Sequence, residues 1–212
     1  MSKFFYPLID NPYRKKDINE AIRVLKSFKI TSGIKTINFQ NTFKKKIKVN
    51  NALMVNSGSS ANLLAMQCLI NPYRRKRLKK GDEILIPSLC WSTSLWPIIQ
   101  SGLKPKFVDI EKDTLNIDLK DLKSKITKKT KGILVIHVLG NSTNMNELMK
   151  IKKKHNLYLI EDTCESLGTK FRNKFLGSFG EFSSFSFYSS HQISSGEGGM
   201  ICCKHQEDFE IL

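Results

Sequence analysis

Seven short apolar runs separated by helix-like stretches constrain this chain more than any other feature. They are Ala52–Val55, Glu83–Ile86, Lys106–Val108, Gly132–Ile136, Leu157–Ile160, Ser183–Tyr188 and Met200–Cys203. Most are apolar throughout, which is how strands read when both faces are covered. Residues 59–70, 92–101, 118–126 and 144–155 lie between them and read as helices. Ahead of the first run, Ile18, Ala21, Ile22, Leu25 and Phe28, then Ile37, Phe39, Phe43 and Ile47, fall at helical spacing. Strands alternating with helices predict an α/β fold, a mostly parallel seven-stranded sheet sandwiched by helices. The expected organisation is an N-terminal helical segment over 1–50 and one large α/β domain over 51–212, a size that buries a single core. In such a sheet, side chains that do chemistry gather at the carboxyl ends of the strands. The last residues, Phe209-Glu210-Ile211-Leu212, read as the start of another helix, so a longer natural chain is expected.

Charge and cysteines narrow the function classes. The formal charge is +16, which attracts nucleic acid, acidic membranes or anionic small substrates. The excess lies in lysine-rich runs at 44–48, 74–80, 120–131 and 150–154, without the aromatic interleaving of a single-strand binder. It reads first as solvated lysine faces, then as attraction for a phosphate-bearing small substrate, and last as nucleic-acid binding. No nucleic-acid partner is therefore expected. The cysteines, Cys68, Cys90, Cys164, Cys202 and Cys203, are odd in number and form no C-x-x-C pair. They predict reduced core thiols and no metal site. No apolar run approaches the ~20 residues needed to cross a bilayer, and Met1–Pro7 is too short in its apolar part for a signal peptide. A cytoplasmic protein with no membrane partner is expected.

Five places are candidates for chemistry. Val55-Asn56-Ser57-Gly58-Ser59-Ser60-Ala61-Asn62 is a small, hydroxyl-rich loop leading into a helix. Its free backbone N–H groups at the positive end of the helix dipole suit a phosphate, and a plain serine N-cap explains it equally. Asp162 follows the strand Leu157–Ile160. A carboxylate there calls for a cationic partner, such as a protonated pyridine nitrogen, or else caps a following helix. Trp91, after the strand that ends near Pro87, either packs in the core or stacks on a flat ring. His137, at the end of Gly132–Ile136, reads as a satisfied structural histidine. Finally, Phe185-Ser186-Phe187-Tyr188-Ser189-Ser190-His191 presents one nitrogen side chain in a loop before Gly196-Glu197-Gly198-Gly199, with no lysine between Lys174 and Lys204. A lysine there could bind a carbonyl cofactor covalently. A histidine cannot, but an imidazole moves protons near neutral pH.

Taken in order, these motifs resemble the DegT/DnrJ/EryC1/StrS sugar aminotransferase family of fold-type I pyridoxal-phosphate enzymes. The likeness runs from Tyr6-Pro7-Leu8 through the 55–62 loop, Gly102-Leu103-Lys104-Pro105-Lys106-Phe107-Val108-Asp109 and Glu161-Asp162 to Gly199. A histidine at position 191, with Trp91-Ser92-Thr93 and Gly196-Glu197-Gly198-Gly199, is similar to the nucleotide-sugar 3-dehydratase branch. The resemblance implies pyridoxal 5′-phosphate or pyridoxamine 5′-phosphate as cofactor. Ser57, Gly58 and Ser59 would hold its phosphate, with a hydroxyl from Ser186. Trp91 would lie on its ring, Asp162 would pair with its nitrogen, and Glu165 would stand near the site. His191 would be the catalytic base. The implied reaction is loss of the C3 hydroxyl from a GDP- or CDP-linked 4-keto-6-deoxyhexose for lipopolysaccharide O-antigen synthesis, with glutamate as an amino donor. An aminotransferase of the same family and a truncated, inactive or regulatory fragment are the rival readings. Relatives of about twice this length would add a small C-terminal domain and form homodimers.

Overall fold

The computed structural model describes residues 13–212. Tyr6-Pro7-Leu8 lies outside the described residues. The chain runs α1 (Lys15–Lys26), α2 (Ile34–Ile47), β1 (Asn51–Val55), α3 (Gly58–Ile70), β2 (Glu83–Pro87), α4 (Ser92–Gln100), β3 (Lys104–Val108), α5 (Leu119–Lys125) and β4 (Thr130–Ile136). It continues through α6 (Met145–His155), β5 (Tyr158–Asp162), β6 (Lys170–Phe171), β7 (Lys174–Phe175), β8 (Phe182–Ser186), β9 (Gly199–Cys203) and α7 (Gln206–Ile211). Seven strands form one sheet in the order β1-β9-β8-β5-β4-β2-β3. The β3–β2, β2–β4, β4–β5 and β5–β8 pairs are parallel, while β9 runs antiparallel to both neighbours. The mostly parallel seven-stranded sheet expected from the sequence is therefore present.

Strand periodicity decides which face each side chain covers. Ile84, Ile86, Leu134, Ile136 and Ile160 pack with Ala61, Ala65, Leu69 and Ile98 of α3 and α4. Their strand neighbours Leu85, Ile133, Val135 and Leu159 pack the other way, against Leu119, Leu122, Leu148 and Ile151 of α5 and α6. Cys202 and Cys203 likewise bury on opposite faces, Cys203 with α3 and Cys202 with Phe43, Ile47, Phe185 and Met200. At ~25 cal/mol per Å² of apolar surface removed from water, this two-sided burial is the main force holding the sheet. Helix α2 joins it through Phe43, whose ring meets Phe185 edge-on at 4.9 Å. No residue of α1 is buried, and Ile18 and Leu25 of its apolar stripe are exposed.

Two departures from the sequence expectation matter. The strand expected over Ser183–Tyr188 ends at Ser186. Phe187 stays buried but leaves the ladder, its N–H reaching Gly198 O at 2.9 Å and its carbonyl accepting from Ser195 N at 3.0 Å. That crossing turns residues 187–198 into a closed loop over the strand ends. The β6–β7 hairpin was not expected, because two-residue strands carry no readable period. No helix among the described residues is long and apolar enough to cross a membrane.

Candidate functional site

Two helix N-termini and three strand ends converge at the carboxyl edge of the sheet. Helix α3 starts at Ser57, whose Oγ accepts from Ser60 N at 3.1 Å, so the serine is an N-cap. The N–H groups of Gly58 and Ser59 remain without a partner among the described residues. The N-cap reading of Ser57 holds, and the next two donors stay free at the positive end of the helix dipole. Ser59 Oγ donates to Thr93 Oγ1 at 2.8 Å, tying this helix start to the first turn of α4.

Close backbone approach explains the glycines. A Cβ on Gly58 would lie 2.5 Å from Cys164 Sγ and 3.0 Å from Ser186 Cβ. A Cβ on Gly199 would lie 2.3 Å from the carbonyl carbon of Ser57. Without side chains at these two positions, the start of α3 sits directly against the ends of β5, β8 and β9. Ser186 is buried there, its Oγ accepting from Tyr188 N at 3.2 Å.

Asp162 ends β5 and is only 6% exposed. Its Oδ2 accepts from Asn62 Nδ2 and Ser94 Oγ, both at 2.8 Å, and its Oδ1 from Cys164 N at 3.2 Å. All three donors are neutral, and no cation pairs with this carboxylate among the described residues. The helix-cap reading of Asp162 is overturned, because β5 runs into a turn at Thr163 rather than a helix. Asp162 also acts on the nearby thiols. Burial first, and then its negative charge, push Cys164 well above the ordinary thiol value and raise Cys90. Both stay protonated near neutral pH.

Trp91 is 75% exposed at the N-cap of α4, so it is not a core residue. It lies two residues before Thr93, whose Oγ1 accepts from Ser59 Oγ, so it stands beside the start of α3. Glu165 holds the turn after β4: its Oε2 accepts from Leu139 N at 2.8 Å, where Leu139 has φ 52°. Its carbonyl accepts from Gln192 Nε2 at 2.5 Å. Through Gln192 this turn also anchors the loop that carries His191. The half-buried His191 ring meets Tyr188 edge-on at 6.1 Å. Its ring nitrogens have no hydrogen-bond partner among the described residues.

His137 is structural, as its position suggested. It is fully buried, with Nε2 3.4 Å from Glu161 Oε2 and Nδ1 accepting from Thr143 N at 3.4 Å. Glu161 in turn accepts from Gly177, Phe179 and Gly180 N–H at 2.9, 2.7 and 2.7 Å, which satisfies a fully buried carboxylate. The cysteines form no disulfide, and no group of metal-ligating side chains occurs among the described residues.

The structure thus joins Ser57, Gly58, Ser59, Asp162 and Ser186 in one contact network. Trp91 and Glu165 stand on its margins, and His191 on the loop beside it. Sequence reasoning missed Asn62, Ser94, Cys164 and Gln192. Asn62 had a signal: it lies four residues after Gly58, on the same helix face. Ser94 is a serine in the apolar helix Ser92–Gln100, which is a weaker mark.

The profile of the DegT/DnrJ/EryC1/StrS aminotransferase family matches residues 12–211. The GDP-4-keto-6-deoxy-D-mannose 3-dehydratase of Escherichia coli O55:H7 is 42% identical over 207 residues, which are 98% of this chain and 53% of that protein. A crystal structure of a GDP-4-keto-6-deoxymannose 3-dehydratase variant with bound GDP-perosamine superposes with a TM-score of 0.94 at 41% identity, covering 98% of this chain and 54% of that one. The Escherichia coli 3-dehydratase with bound hydrated pyridoxal phosphate gives the same TM-score, 0.94, and identity, 41%, over 98% and 53%. The chain spans about half the length of the curated relatives it matches.

Proposed function

The chain belongs to the DegT/DnrJ/EryC1/StrS aminotransferase family, and we propose that its full-length form removes the C3 hydroxyl of a nucleotide-linked 4-keto-6-deoxyhexose. The cofactor on this reading is pyridoxal or pyridoxamine 5′-phosphate, and the product serves deoxysugar and lipopolysaccharide O-antigen synthesis. One observation carries the choice of dehydration over amino transfer: the loop beside the strand-end carboxylate offers His191, and no lysine lies between Lys174 and Lys204. Similarity to relatives named as 3-dehydratases supports it.

The residues present fit such a cofactor. Asp162 is a buried carboxylate surrounded by neutral donors, and a cationic ring N–H complements it. The free N–H groups of Gly58 and Ser59, with the Ser186 hydroxyl, suit a phosphate at a helix N-terminus. When bound, the protonated pyridine ring supplies an electron sink that makes an adjacent carbon acidic.

The chain's own residues do the remainder. Ser57 fixes the first turn of α3, which leaves the Gly58 and Ser59 N–H groups available at the helix start. Asn62 and Ser94 clamp Oδ2 of Asp162 and keep the carboxylate aimed. Exposed Trp91 would offer an indole face to the cofactor ring. Glu165 braces the 138–140 turn and, through Gln192, the catalytic loop. His191 is the catalytic base, and its conjugate acid protonates the departing C3 hydroxyl. Without a lysine, only non-covalent contacts retain the cofactor.

On this reading residues 51–212 form the cofactor-binding domain, preceded by an N-terminal helical segment over 1–50. The enzyme works in the cytoplasm as a homodimer, on a nucleotide sugar and an amino donor such as glutamate. The full-length protein loaded with pyridoxamine phosphate should convert GDP- or CDP-4-keto-6-deoxyhexose to a 3-deoxy product lighter by one oxygen atom, with the cofactor recovered as pyridoxal phosphate and ammonia released. A product aminated at C4 without loss of water would identify an aminotransferase instead. No mass change with either sugar would refute the proposal.

A further inference from the structure

At the opposite end of β8 and β9 from the candidate site, a cavity of ≈ 130 Å³ opens to solvent. Ser183, on its wall, and Ser186, in the candidate site, are three residues apart on one strand, about 10 Å at ~3.3 Å per residue. Lys48, Lys174 and Lys204 line the cavity, with Asn50, Ser178 and Ser183. None of the three lysines forms an ion pair among the described residues.

The carboxylates that face this cavity are already occupied. Glu181 Oε1 accepts from Lys152 Nζ at 2.6 Å and its Oε2 from Leu159 N at 2.7 Å. Glu161 lies beneath the 177–180 loop and takes three of its backbone N–H groups. Cys202 and Cys203, also on the wall, are buried and held protonated by burial above all. The cavity therefore sets three lysines against the buried charge of Glu161, with Glu181 already paired to Lys152.

Lys174, an exposed side chain, stands at the edge of the recess. Its Nζ rests 4.3 Å from the centroid of the Phe179 ring. Burial first, with added repulsion from Lys204 and partial relief from Glu161, holds its ammonium below the ordinary lysine value. Such a group gains most when an anion enters.

We propose that the recess between Lys48, Lys174 and Lys204 is an anion site for a phosphate-type oxyanion, separate from the strand-end site. The cavity has room for several waters or for one tetrahedral anion, with the three lysines on its wall. Both free phosphate and the terminal phosphate of a nucleotide carry this chemistry. The site does not depend on the proposed reaction.

Lysine ammonium resonances test it on the protein with its lysines reductively ¹³C-dimethylated, which keeps their charge. Lys174→Gln and Lys204→Gln assign the two signals. Pyridoxal phosphate is present throughout, so that the α3 donors are filled. Inorganic phosphate should move both signals saturably in the low-millimolar range and raise the titration midpoint of Lys174. Chloride at equal ionic strength should do neither. GDP in a parallel titration distinguishes a nucleotide phosphate from the free ion as the source. In Lys48→Gln the half-saturating phosphate concentration should rise several-fold. If the Lys174 and Lys204 signals follow ionic strength alone, identically for phosphate and chloride, the site does not exist.

Discussion

At the scale of single residues, the proposed function gives Asp162 and His191 different work, and they fail differently. Asp162 needs its charge. Asp162→Asn keeps the shape but removes the partner for a cationic ring, so pyridoxal phosphate should wash out on dialysis while the fold survives. A fully retained cofactor absorbance would contradict that role. His191 instead needs its mobile proton. His191→Asn should keep the cofactor and lose ~10²- to 10⁴-fold in dehydration rate, the usual worth of a general acid–base group. His191→Lys should gain a cofactor bond that borohydride traps, and the native protein should show none. Gln192 acts through position only, its amide donating to the Glu165 carbonyl at 2.5 Å. Gln192→Ala should cost about 1 kcal/mol of stability, as one hydrogen bond does. It should also shift the pH profile of the rate, and Gln192→Asn should not restore it, because the shorter side chain falls short.

At the scale of elements, the site depends on how closely α3 approaches the strand ends. Gly58→Ala would place a methyl 2.5 Å from Cys164 Sγ, and such overpacking costs ~1–3 kcal/mol. The thermal midpoint should drop, and phosphate affinity with it, because the two free N–H groups move. Pairing it with Cys164→Ala, which removes the clashing sulfur, should restore part of both. A double variant no better than the single would show that Ser186, not Cys164, sets the limit. This approach also marks what the sequence could reveal. Apolar runs at Glu83–Ile86 and Gly132–Ile136 announce covered strands, because burial on both faces removes polar alternation. Gly58 and Asp162 fall at element junctions, where a loop motif is readable. Ser94 and Cys164 are small residues whose importance lies in what comes to meet them from 68 and 106 residues away along the chain. Nothing in their own neighbourhoods encodes that partner. Trp91 left two readings open because an indole is often buried, and its 75% exposure is visible only in the fold.

At the scale of the whole molecule, α7 is bolted to the body by a buried ion pair. Arg74 reaches Asp208 with Nε at 2.7 Å and Nη2 at 3.3 Å, and its guanidinium lies 4.6 Å from the Tyr158 ring centroid. Burial alone would lower Arg74, but hydrogen bonds to Asp208 and Tyr158 override it and raise its pKa. Arg74→Ala strands a buried carboxylate and should cost ~3–5 kcal/mol, whereas replacing both partners with apolar residues should cost far less. The same cluster sets the alkaline limit. Cys68 Sγ lies 3.7 Å from Asp208 Oδ1, and burial first, then the Asp208 charge, push its thiol up to about 12 from 9.0. Cys203 rises to about 12 for the same two reasons. The folded chain keeps these protons where the unfolded chain has released them. Their contribution to stability is therefore whole below pH 9 and is lost as pH rises from 9 towards 12. Urea unfolding at about pH 8 and again at about pH 10.5 should show that loss, and Cys68→Ala should make the decline shallower while lowering stability at the lower pH. An unchanged slope in Cys68→Ala would mean that the thiol reaches water, and that the seam between α3 and α7 is looser than its hydrogen bonds imply.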